Sequence, residues 1–174
     1  LSYSTKDRDR LKPLVAALEQ RGWSVFWDHK TVPIGKHWQN VIGQAIRDSR
    51  CVVVAWSAYS IASEWVIEEA LEGKKRGVLL PIRLENVEIP FGFGVYQPGD
   101  FVGWNGRADH PEFISLAGEI QGLLARHDAE SQRKADAIAA EQQRLAKEQI
   151  LAEQQVREAA ERQRRLDEEV QRQR

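Results

Sequence analysis

Trp65 and Glu69 are the two side chains of this sequence best placed to do chemistry together. Four residues apart on a helix, they share one face and lie one turn apart. Glu68 is the rival carboxylate, but an ideal helix rotates it about 100° away from Glu69 and off the tryptophan's face. An aromatic plate beside a carboxylate, following the carboxyl end of a buried strand, is a ligand-binding arrangement in open α/β sheets. The competing meaning is a core tryptophan beside a solvated glutamate, and spacing alone favours it.

The elements around the pair must decide. Ser63 is a good helix N-cap, with Glu64 and Trp65 opening a helix to about residue 76 and Gly77 stopping it. Residues 51–56, Cys-Val-Val-Val-Ala-Trp, precede it as a strand apolar on both faces, the mark of a parallel strand covered by helices on both sides. Upstream, Leu1-Ser2-Tyr3-Ser4 reads as a strand end whose start lies outside the sequence. Leu11, Leu14, Val15 and Leu18 then follow at helical spacing, with Pro13 inside the pattern and Gly22 as the stop.

Residues 23–27 read as a second strand, and 28–37 as a long loop at its carboxyl end, opening on Asp28 and containing Pro33 and Gly35. Trp38, Val41, Ile42, Ala45 and Ile46 line one face of a further helix. Residues 78–84 form another strand, in which Pro81 argues for an edge or bulged position. A Gly/Pro-rich loop over 85–100 carries Phe91, Phe93 and Tyr96, as core or as a stacking surface. A short fifth strand at 101–104 and a last domain helix with Phe113, Leu116, Ile120, Leu123 and Leu124 complete the pattern. Strands alternating with helices predict an α/β fold with a doubly wound parallel sheet of about five strands, followed by a long C-terminal helix.

Composition excludes several function classes. A formal net charge of −1 over 174 residues gives no global field to attract nucleic acid or acidic membranes. The single cysteine, Cys51, has no internal disulfide partner and reads as a core hydrophobe of a reducing, cytoplasmic compartment. His29, His37, His110 and His127 lack metal-ligand spacing, so no metal or other cofactor is expected. No apolar run approaches the length of a membrane span.

From about residue 128 the composition changes to Glu, Gln, Arg and Ala without Gly or Pro, which predicts one long helix. Ile138, Leu145, Ala152, Ala159 and Leu166 recur every seven residues, with Gln142, Gln149, Val156, Gln163 and Val170 four residues on. The seam is thin, and a weak coiled coil and a solvated linker helix both fit it. The expected organisation is therefore a domain over 1–127 and a helical appendage over 128–174.

Six motifs now stand in order: Leu1 to Ser4; Gly22 through Asp28; Gly35-Lys36-His37-Trp38; Cys51 through Ser57; Ser63 through Ala70; and Gly77 through Ile82. Together they resemble Toll/interleukin-1 receptor (TIR) domains, particularly the bacterial ones, over residues 1 to about 127. The resemblance implies a flavodoxin-like fold and one of two functions. Many bacterial, plant and some animal members hydrolyse NAD+ at the nicotinamide–ribose bond, using a glutamate four residues after a tryptophan on the third helix. Here that pair is Glu69, the implied catalytic residue, and Trp65, implied to wall the substrate. Other members are assembly adaptors without chemistry, acting here through the 28–37 loop.

On the enzymatic alternative, nicotinamide leaves as a neutral base, so one carboxylate can stabilise the oxocarbenium-like transition state without a general acid. NAD+ is then substrate and not cofactor, and an ADP-ribosyl cyclase activity is a variant of the same chemistry. Ser4 and Thr5, at the first strand-to-helix turn, are candidates for the substrate's phosphates, with simple N-capping as the other reading. Some family enzymes carry an arginine at this turn and this chain does not. Lys36, His37 and Trp38 are candidates for lining the cleft, with a surface histidine and a helix-core tryptophan as alternatives. The resemblance also implies a homo-oligomer through TIR–TIR contacts, aided by the 128–174 helix, and a signalling or defence role. A phosphorylation receiver, which shares this fold, is excluded because the central strand ends Ala55-Trp56-Ser57 with no acceptor aspartate.

Overall fold

The computed structural model describes residues 1–27 and 38–172, with residues 38–42 and 170 described through the backbone alone. It divides into two units, Leu1–His127 and Asp128–Arg174. In the first, β1 (Val52–Trp56), β2 (Leu79–Arg83) and β3 (Gly99–Asp100) form a parallel sheet in the order β1-β2-β3. Ser2 adds a parallel bridge to Val54 on the other edge of β1. The helices are α1 (Arg8–Gln20), α2 (Trp38–Asp48), α3 (Glu64–Lys75) and α4 (Pro111–Arg172), the last supplying the second unit from residue 128 onward.

β1 shows why its apolar run is unbroken. Val53 and Ala55 pack with Leu11, Leu14 and Leu18 of α1 and with Phe113 and Leu116 of α4. Val52, Val54 and Trp56 face the opposite side and pack with Val66 and Ala70 of α3. All five residues of β1 are buried, so neither face can accept polar side chains. A turn of 3-10 helix, Thr5–Asp7, leads into α1, and Pro13 sits inside that helix on its exposed side.

α3 carries the candidate glutamate, and three features fix it. The Ser63 hydroxyl accepts a hydrogen bond from Val66 N–H, the capping predicted from its type. Gly73 lets the helix approach the sheet closely, since a Cβ there would lie 3.0 Å from Val52 Cβ. Gly77 turns the chain out of the helix at φ +68°, a conformation that favours glycine.

Two sequence expectations need correction. Residues 23–27 form no assigned strand: among the described residues, Leu1 N bonds to Phe26 C=O at 2.8 Å and the Tyr3 hydroxyl donates to Trp27 C=O at 2.7 Å, which hold the segment at the sheet's edge without making a ladder. The strand expected at 101–104 is β3 at Gly99–Asp100, because the chain turns at 101–104, where Trp104 N–H reaches back to Phe101 C=O at 3.1 Å. Pro81 is paired with Val54 of β1 in an unbroken register, but its β3 side is open, so its own position is an edge and not a fully paired centre, as its residue type predicts. The reason is local. Leu84 N–H bonds toward β1 and Phe101 N–H bonds to Arg83 C=O, so the odd-numbered amides of β2 face β3. β3 begins only opposite Ile82, and at position 81 no amide is required.

In the second unit, residues 128–172 are helical and exposed along their described length, the apolar seam positions Ile138, Leu145, Val156 and Leu166 included. Among the described residues, no helix is long and apolar enough to cross a membrane.

Candidate functional site

Glu69 lies on the α3 face turned toward β1 and is 4% exposed. Trp65 Nε1–H donates to Glu69 Oε1 at 2.5 Å, so the i, i+4 spacing is realised as a direct bond. The tryptophan therefore does more than supply a flat wall: it donates a hydrogen bond to the carboxyl and fixes its orientation. Burial pushes the Glu69 pKa above the ordinary glutamate value, opposed by the Ser2 hydroxyl and the Trp65 N–H. Ser2 Oγ is itself buried and close enough to oppose the rise, though among the described residues it closes no hydrogen bond of regular geometry. Glu68, the neighbouring carboxylate, is exposed.

The space at Glu69 is small, about 20 Å³, and is walled by Ser2, Phe26, Ile46, Ser49, Cys51 and Val52. That is room for about one water. These walls stand at the start of β1, not at its carboxyl end. The reason is direction: α3 runs back along the sheet, and by Glu69 it has already returned toward the strand's start. Arg76 holds the α2 side of the wall, donating to the carbonyls of Ile46 and, at 2.5 Å, Ser49. The Cys51 thiol, pushed up to about 11 mainly by burial, stays a neutral wall group. A larger cavity of about 680 Å³ shares Phe26, Ser49 and Cys51 but is walled mostly by apolar side chains such as Leu18, Trp23 and Ile120. Its size suits a nucleotide, yet Glu69 does not line it.

At the carboxyl end of the sheet the protein's own polar groups bond to one another. Asp7, fully buried, accepts from Ser57 Oγ at 2.5 Å and from Arg10 Nη1 at 2.8 Å. Arg10 also donates to Leu84 C=O at 2.7 Å and Glu85 at 3.2 Å, and Glu85 accepts from Ala58 N–H at 2.6 Å. This network ties the start of α1 to the ends of β1 and β2.

The other expected site residues fall as follows. Ser4 and Thr5 lie in the turn leading to Asp7 and do not wall the space at Glu69. Ser4 holds the N-cap position, but its side chain makes no capping bond. Lys36 and His37 lie outside the described residues, as does the loop that carries them. Trp38 opens α2, and its side chain lies outside the description. Ser2, Phe26, Ser49 and Arg76 were not singled out from the sequence. Ser2 and Phe26 had a signal, as parts of the first and second motifs.

The family model for the TIR domain matches residues 1–116. The chain belongs to the TIR-domain family. A crystal structure of the TIR domain of the Toll-related receptor TRR-2, from the lower metazoan Hydra magnipapillata, superposes with a TM-score of 0.59 at 20% identity. The match covers 69% of this chain and 94% of that one, and it shows the shared fold. No curated relative matches the chain. TIR domains are signalling modules that typically self-associate, and the family includes enzymes that cleave NAD+.

Proposed function

We propose that this TIR domain is an NAD+ glycohydrolase switched on by self-assembly, a signalling or defence effector. The observation that carries the reading is the buried Glu69 carboxyl, oriented by the Trp65 N–H within a TIR fold. A carboxylate so held is pre-organised to face the positive charge that develops on the ribose as neutral nicotinamide departs. Low dielectric strengthens that attraction, and the fixed donor removes the need to reorient the group during reaction.

The same geometry supports the assembly requirement. Among the described residues the space at Glu69 is about 20 Å³, too small for a nucleotide, and in this reading turnover has the Phe26, Ile46 and Ser49 wall stand differently from its position here. Contacts between copies, which select a minor arrangement, are a physical route to that change. Ser4, Thr5, Lys36, His37 and Trp38 remain proposed substrate contacts of the opened site. The test is nicotinamide release from NAD+ by the full chain over a range of protein concentrations. Turnover per molecule that rises with concentration supports the reading. No release from assembled protein sinks it.

The second reading is an assembly module without chemistry, acting through the 28–37 loop. The observation favouring it is the same closed space, with Glu69 engaged by its own helix. It predicts loop-dependent oligomers and no loss of NAD+.

A further inference from the structure

Residues 89–99 carry no charged side chain, in a chain whose residues are 29% charged. Within this stretch Phe91 is 105% exposed and Val95 83% exposed. The loop is nevertheless held firmly. Phe93 is buried against Trp56, ring centroids 5.2 Å apart, and the turn closes through Phe93 N–H to Pro90 C=O at 3.1 Å and Tyr96 N–H to Phe93 C=O at 3.0 Å. Lys74 of α3 donates to Gly92 C=O at 2.6 Å and lies over the Phe93 ring. Phe91 is thus displayed from a fixed turn, which lowers the ordering cost of docking it. An aromatic anchor on a charge-free patch has the composition of an interface core.

We propose that this loop is a self-association surface, with Phe91 as its anchor docking against a second copy of the chain. A net charge of −1 leaves two copies almost free of mutual repulsion, and TIR domains typically self-associate. Nucleic acid or an anionic membrane would require basic groups, whereas Lys74 is engaged by Gly92 C=O and the Phe93 ring and Arg83 by Asp100. The loop also rests on α3, the helix that holds Glu69. A consequence for turnover rests on the NAD+ reading; the association itself does not.

The experiment is sedimentation velocity on the full chain, wild type against Phe91→Ser, with thermal unfolding as the fold control. Because Phe91 is fully exposed, the variant unfolds at the wild-type temperature. Its association is expected to be at least tenfold weaker. Equal association, or a wild-type chain that stays monomeric at every concentration, overturns the proposal. Pairing through the 128–172 helix alone would mask the effect, so a photo-crosslinking phenylalanine analogue at position 91 is the second measurement. Crosslinks to residues 1–127 of another copy are expected; none, or crosslinks only beyond 127, overturn the proposal. Weaker association of Phe91→Ser with no NAD+ turnover in either protein leaves the docking intact and removes the enzymatic reading.

Discussion

Trp65→Phe separates two roles that the tryptophan has been given. The variant keeps an aromatic plate on the same helix face and deletes the indole N–H that reaches Glu69 Oε1 at 2.5 Å. A hydrogen bond to a charged group is worth about 1.5–3 kcal/mol, and one between neutral groups about 0.5–1.5 kcal/mol. The loss should therefore be largest where Glu69 is ionised. It should shrink by about 1 kcal/mol or more in acid, where the carboxyl is protonated and accepts only a neutral bond. Removing a donor that favours the carboxylate also moves the Glu69 pKa further upward. The assay is urea unfolding of the full chain, wild type and variant, from about pH 4 to about pH 8. A penalty under about 0.5 kcal/mol, or one that is the same at both ends of the range, would refute a donor role and return Trp65 to a packing wall.

Glu69→Gln should be more stable than wild type at about pH 8. The native state holds the Glu69 proton more tightly than the unfolded chain does, so wild-type stability falls as pH rises from the ordinary glutamate range through the raised pKa. Glutamine stays neutral and can still accept the Trp65 N–H; the gain should vanish by about pH 4, and a variant melting at or below wild type at about pH 8 contradicts the sign. Ser57→Ala removes the hydroxyl that donates to buried Asp7 and accepts from Ser60 N–H at 3.1 Å. It should cost about 2–3 kcal/mol in urea unfolding, and a loss under about 0.5 kcal/mol would mean that the Asp7 network does not hold the carboxyl end of the sheet.

The sequence showed some parts of the fold directly. The run Val52 to Trp56 announced a strand covered on both faces, and the two core clusters divide its residues alternately. Ser63 and Gly77 marked the ends of α3 because a capping hydroxyl and a positive φ are local requirements. What failed depended on partners. Residues 23–27 have strand composition, but a strand exists only through its ladder, and none is assigned there among the described residues. Pro81, by contrast, was legible: its missing amide falls just before β3 begins, on a side left open at that position.

At the site, spacing put Trp65 and Glu69 on one face of the helix. It could not show that they bond to each other, nor that the direction of α3 brings Glu69 to the start of β1 beside Ser2 and Val52. Those facts depend on residues far apart in the chain, and no local pattern encodes them.

The central claim is that Glu69 carries NAD+ cleavage. Its direct test is nicotinamide release by wild type and Glu69→Gln at matched, assembled concentrations, with assembly confirmed by sedimentation. Removal of the one charge facing the oxocarbenium-like transition state should slow release by about 100-fold or more while assembly persists. Release at the wild-type rate from Glu69→Gln would contradict the account.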